Sequence, residues 1–234
     1  MSSKHRNWSK FTIPRAEGID QDPCDVIVGF TSDDSQFLCR QIQRATDGVW
    51  GHTFVGFGWP DGSACYFEAL LGDGVTGPWP IERVITWQRE TPSHRLALID
   101  LPRAWYPGHG LAPALWLATM AVGQQSYSAP QLLFMGLSER YGLPMWRTER
   151  RTVCSEYVAY VLQGVVDLTD RRRRKLDQVN PNSAWRRLAE EMAGLGYHTR
   201  PRPAAPGRAK DAPLIREAPS PALDGLRQMQ RVSA

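Results

Sequence analysis

Two short apolar runs joined by a turn constrain the fold of this chain more than any other stretch. His52-Thr53-Phe54-Val55-Gly56-Phe57-Gly58 and Ala64-Cys65-Tyr66-Phe67-Glu68-Ala69 are rich in aromatic and β-branched residues. Between them, Trp59-Pro60-Asp61-Gly62-Ser63 is turn chemistry. The pair predicts an antiparallel hairpin. If Phe54 pairs with Glu68, His52 lies diagonally across from Glu68 on one face, with Cβ atoms within about 8 Å. A one-residue slip puts the two on opposite faces, and the sequence alone does not choose the register.

Around this hairpin the chain alternates between strand and helix signals. Cys24 to Phe30 predicts a strand, and Thr31-Ser32-Asp33-Asp34 a helix start with Phe37, Leu38 and Ile42 on the inner face. That helix is expected to end near Thr46-Asp47-Gly48. Asp73 to Pro80, full of glycine and proline, reads as a loop, and Ile81 to Trp87 fits either a strand or a short helix. His94 to Leu101 predicts a strand stopped by Pro102, and Leu111 to Val122 a helix. Gln131 to Leu137 is a short apolar element, and Ser183 to Met192 an amphipathic helix led by Asn180-Pro181-Asn182. The expected class is α+β: a flexible lead-in over 1–20, one domain over 21–198 and a disordered tail over 199–234. Six prolines fall between Pro201 and Pro221, and such a tail has little to bury. A protein partner is the expectation kept for it.

Composition excludes several classes. The 234 residues carry a net charge of +4, which permits an acidic partner without arguing for one. Arg171-Arg172-Arg173-Arg174-Lys175 is the one compact basic run, and it reads either as a phosphate contact or as a solvated loop. No strong nucleic-acid signal is present. Cys24, Cys39, Cys65 and Cys154 lie far apart, without metal-ligand spacing, so reduced thiols and no metal or cofactor are expected. Met1 to Arg15 has no apolar signal core and no stretch is long enough for a membrane span, which gives a cytoplasmic expectation.

The chemistry centres on Arg151-Thr152-Val153-Cys154-Ser155-Glu156-Tyr157-Val158-Ala159-Tyr160-Val161-Leu162. Cys154, Val158, Val161, Leu162 and Val165 share one apolar helical face. With Thr152 as N-cap, Cys154 falls in the first turn, where free N–H groups and the helix dipole favour a thiolate. The plainer reading is a small cysteine packed under a helix. A nucleophile needs a base and a group to orient that base. His52 and Glu68 supply both if the hairpin register allows, and a Cys/His/Glu set suits acyl transfer. His94, His109 and His198 are rivals for the base. His109 sits between two glycines and lacks an evident carboxylate.

The order of Gly51-His52-Thr53-Phe54-Val55-Gly56, then Phe67-Glu68-Ala69, then Val153-Cys154-Ser155-Glu156-Tyr157-Val158 resembles the circularly permuted papain-like proteins of the NlpC-type superfamily, in particular the YiiX/YaeF-like branch. Asn180-Pro181-Asn182-Ser183 is similar to the proline-led helix of that branch. The likeness spans roughly residues 24 to 190. It implies Cys154 as nucleophile, His52 as base and Glu68 as the orienting residue. It implies a small antiparallel sheet packed on the nucleophile helix, and a thiol amidase or peptidase acting on a peptide-like, cell-wall or acyl-amide bond. Two alternatives remain: a lipid acyltransferase or thioesterase using the same triad, and a non-enzymatic module that keeps the fold. Cys24-Asp25 stands where the family usually has Gly-Asp, and Val153 replaces an aromatic residue before the nucleophile.

Overall fold

A computed structural model of the chain describes residues 22–91, 93–127, 151–169 and 179–194. The lead-in, the Gln131–Leu137 element, the Arg171–Lys175 run, His198 and the tail lie outside the described residues. The fold is α+β. Five antiparallel strands form a sheet in the order β4-β3-β2-β1-β5: β1 (Asp25–Asp33), β2 (His52–Gly58), β3 (Ala64–Leu70), β4 (Gly74–Pro80) and β5 (His94–Asp100). The hairpin forms in the register that pairs Phe54 with Glu68.

Strand β1 runs three residues past the expected helix start. Thr31 pairs with both His52 and Leu96, and Asp33 pairs with His94, so the ladder outcompetes the local helix signal. The Asp33 carboxylate shapes the turn instead, accepting from the Ser35 N–H, the Ser35 hydroxyl and Gln36 Nε2. Helix α1 (Phe37–Thr46) follows, with Cys39, Ile42 and Thr46 buried. Phe37, expected on the inner face, is 68% exposed. The Gly/Pro-rich stretch expected as a loop is strand β4. Its position reconciles the composition with the structure: β4 is an edge strand, where a proline without an N–H costs no inner ladder bond. Gly77 sits at φ 130°, where a Cβ would lie 2.8 Å from the Tyr66 carbonyl oxygen, beside the register shift between Tyr66 and Glu68. Ile81–Glu90 resolves as helix α2, directly after β4.

Both faces of the sheet are covered, which is why β1 is buried along its whole length. On one face α2 packs Ile81 and Val84 against Ile27, Phe54, Tyr66, Leu96 and Leu98. The other face carries the larger core. There α4 (Cys154–Leu162) lies against Val55, Phe57 and Phe67, flanked by α3 (Ala112–Ala121) and α5 (Pro181–Gly194). Every residue of α4 except Tyr160 is buried. Its polar groups are satisfied by neighbours: the Tyr157 hydroxyl donates to the Ala118 carbonyl and the Ser155 hydroxyl to the Val179 carbonyl. Two-residue strands β6 (Ser126–Tyr127) and β7 (Arg151–Thr152) pair in parallel and lead into α4.

Helix α5 begins with a reciprocal cap. Ser183 N–H donates to Asn180 Oδ1, and Asn180 N–H donates to the Ser183 hydroxyl. The next side chain ties this helix to the segment before β2. Asn182 accepts from the Trp50 N–H at 2.9 Å and donates to the Trp50 carbonyl at 2.9 Å and to the Thr46 hydroxyl at 2.6 Å. Phe30, Trp50 and Trp185 form an aromatic cluster beside it. Asn182→Ala leaves the Trp50 peptide groups buried without partners, and a stability loss of about 2–3 kcal/mol is expected in urea unfolding. A loss near zero would show that these bonds do not hold the segment.

Candidate active site

Strand alternation and the observed register place His52, Phe54, Tyr66 and Glu68 on the face covered by α2. Cys154 belongs to α4 on the opposite face. The two sides meet at the end of the sheet because His52 is the first residue of β2 and Cys154 the first residue of α4. Gly51 permits the close approach of α1 at this point. A Cβ there would fall 2.0 Å from the Cys39 sulfur, and the Gly51 N–H is spent on the Thr31 carbonyl.

A chain of hydrogen bonds runs through the site. His52 Nε2 lies 3.1 Å from Glu68 Oε2, with the two side chains 20% and 10% exposed. The Tyr66 hydroxyl bonds to the same carboxylate. With Nε2 turned to Glu68, Nδ1 is the ring nitrogen left for the Cys154 thiol, to which the imidazole is hydrogen-bonded. The Cys154 sulfur also receives the Thr53 backbone N–H and the Tyr127 hydroxyl. The structure thus brings together Cys154, His52 and Glu68, the three residues singled out in the sequence, and adds Tyr127, Thr53 and Tyr66.

Electrostatics follow from these partners. Burial alone raises a thiol, as at Cys65, which is pushed up to about 12 with no other cause at work. Burial acts on Cys154 as well, but the His52 charge and hydrogen bond, the Thr53 amide and the Tyr127 hydroxyl outweigh it and bring the thiol below its usual value. Burial opposes the charge on His52, yet Cys154 and Glu68 together raise the imidazole above its usual range. These interactions favour the thiolate–imidazolium form of the pair. Burial, and then Cys154, raise the Tyr127 phenol, so it stays protonated and donates to the sulfur.

The local cap differs from expectation. Thr152 is not the N-cap, because it extends in β7, one residue too early. Its hydroxyl turns to the Val153 carbonyl and the Glu156 carboxylate. Val153 occupies the N-cap position with no side-chain bond to the helix amides. The rival bases separate clearly. His109 is exposed in the turn closed by Gly110 N–H on the Pro107 carbonyl. His94 is 2% exposed, its ring centroid is 3.8 Å from that of Trp87, and burial lowers it to about 4, so it stays neutral. Among the described residues, no group of three or more His, Cys, Asp or Glu is placed to hold a metal, and no helix is long and apolar enough to cross a membrane.

No local pattern in the sequence marks Tyr127. It reaches the site through the parallel pairing of Tyr127 with Thr152, a contact between segments distant in the chain. No family model matches this chain, and no curated protein matches it either.

The sign of the pH dependence follows from the shifts. The lowered thiol and raised imidazole widen the pH range of the ion pair, which is lost on the acid side as Cys154 protonates and on the alkaline side as His52 loses its proton. Thiolate ultraviolet absorbance, taken as wild type minus Cys154→Ala, is expected to persist to lower pH than that of an ordinary thiol before it falls in acid. In His52→Ala the same signal is expected to rise through the ordinary thiol range near about 8.5 or above. Identical titrations in the two proteins would separate His52 from the thiol.

Proposed function

We propose that this chain is a thiol hydrolase that cleaves an amide bond through an S-acyl intermediate, with a circularly permuted papain-like arrangement. One observation carries the reading: a thiol at a helix start, a hydrogen-bonded imidazole and a carboxylate on that imidazole form one connected line. The resemblance of the Gly51–Gly56, Phe67–Ala69 and Val153–Val158 stretches to that superfamily supports it.

The Cys154 thiolate attacks the amide carbonyl carbon. Negative charge moves to the carbonyl oxygen, and the Tyr127 hydroxyl and the Thr53 amide, which already point at the sulfur, are the donors at hand for that oxygen. His52 then gives its proton to the departing amine, leaving a thioester on Cys154. It next takes a proton from water, which attacks the thioester and releases the acid. Glu68 faces the imidazolium throughout, fixing its orientation and charge. Tyr66 holds the carboxylate from the far side.

Cys154→Ala is expected to abolish turnover while the fold persists. Glu68→Gln keeps the shape but removes the counter-charge, with a loss on the order of 10–10³ in turnover. His52→Ala is expected to cost more, because the proton carrier itself is gone. Activity-based thiol labelling, compared across the three variants by mass spectrometry, is the test. A wild-type rate in Cys154→Ala, or uniform slow labelling of all four cysteines in the wild type, would sink the proposal and favour a binding module.

A further inference from the structure

The thiol at the centre of this site is closed to solvent. Cys154 is 0% exposed, yet a carbonyl carbon has to come within roughly 3–3.5 Å of the sulfur before the two react. A group beside the sulfur has to move before a substrate can arrive. Three groups touch it: the His52 imidazole, the Thr53 amide and the Tyr127 hydroxyl.

Two of the three are fixed. Thr53 is fully buried inside β2, paired with Phe30 of β1, and its hydroxyl donates to the Gly29 carbonyl at 2.8 Å. The imidazole is held at both ends, by the sulfur and by Glu68 at 3.1 Å. The ring also lines a cavity of about 550 Å³ between α2 and the sheet, but Cys154 does not, so that opening leads to the Glu68 end of the ring and away from the sulfur.

Tyr127 differs in each respect. It stands on the two-residue strand β6, outside the five-stranded sheet. Its hydroxyl is on the buried sulfur while the residue as a whole is half-buried, so the side chain reaches from the sulfur to solvent. Its ring joins the apolar cluster of Leu38, Ile42 and Val153. Such contacts have no preferred direction, and a ring can slide along them.

We infer that Tyr127 is the gate of the thiol: its phenol covers the sulfur in the resting protein and swings outward as a carbonyl group arrives, its hydroxyl passing from the sulfur to the carbonyl oxygen. The second half of this inference rests on the thiol-hydrolase reading; the cover over the sulfur does not. The transfer follows the charge. The thiolate electron pair becomes the C–S bond and the carbonyl π pair moves to oxygen, so the sulfur loses its negative charge as the oxygen gains one. A donor keeps its strong, charge-assisted bond by following that charge.

Two reactions of the same sulfur separate access from catalysis. Iodoacetamide forms a C–S bond as its C–I bond breaks, with no oxyanion, so its rate reads access alone. Acetylation by p-nitrophenyl acetate, read as a burst of p-nitrophenolate, needs both access and a donor for the oxyanion. The full chain, Tyr127→Phe and Tyr127→Ala are compared at a pH where the Cys154 thiolate is complete in all three. Mass spectrometry follows Cys154 and, as a reporter of general loosening, the buried Cys65. Alkylation of Cys154 is expected to be about tenfold or more faster in Tyr127→Ala, since closing removes the competent fraction. Tyr127→Phe, which keeps the ring and loses the hydroxyl, is expected to fall between, and Cys65 to stay slow throughout. The burst is expected to slow in both variants. Alkylation of Cys154 no faster in Tyr127→Ala than in the wild type, or faster only in step with Cys65, overturns the gate. No burst in the wild type, with the expected order of alkylation rates, overturns the hydrolase reading and the transfer of the hydroxyl, while the cover over the sulfur stands.

Discussion

The contact between the first residues of β2 and the first residue of α4 is the constraint on which this site depends. Thr53 gives its amide to the Cys154 sulfur while the neighbouring His52 gives its ring to the same atom. A strand of the sheet and a helix packed on its face are thereby locked end to end. A hydrogen bond to an ionised partner is roughly twice as strong as a neutral one, and here several converge on one buried sulfur. The rest of the fold is arranged to hold that meeting point: Gly51 lets α1 close in, Asn182 grips Trp50 from behind, and the β6–β7 pair delivers Tyr127 and the start of α4 together.

Cys65 and Cys154 show how the same burial yields opposite chemistry. Both are cysteines of the large core. At Cys65 burial acts alone, and the thiol is held protonated. Cys154 meets a cation-forming ring and two donors, and the balance reverses. Exposure alone would not have distinguished them; the partners at the end of β2 do. His52 and His94 form a parallel case among the bases. Both lie on the α2 face, but His94 is enclosed by Trp87 and His52 lies between a carboxylate and a thiol.

Much of this was legible in the sequence where local chemistry and tertiary packing agree. The 52–69 hairpin, the helix starting at Cys154 and the proline-led helix at Pro181 are strong local signals, and each forms where expected. The hairpin register was open in the sequence; in the fold Phe54 pairs with Glu68, and Phe54 and Tyr66 face α2 together with His52 and Glu68. The misreadings share a physical cause. Thr31–Asp33 has helix-start residues, but two flanking strands claim its backbone. The 74–80 stretch has loop composition, but an edge strand tolerates proline. Thr152 has the chemistry of a cap and is one residue out of place. Tyr127 was invisible because nothing local records a parallel pairing with Thr152.

The Asn182 bridge bears on the order in which the site can be assembled. Its bonds to Trp50 join residues 132 positions apart. Closing so long a loop carries an entropic cost, and contacts between such distant segments form later than local ones. The backbone just ahead of His52 therefore lacks its clamp until α5 has been synthesised and has docked. The hairpin and the helix of Cys154 both precede α5 in the chain, so a growing polypeptide carries the thiol, the ring and the carboxylate well before it holds them in register. Reactivity of the thiol is thereby tied to completion of the domain.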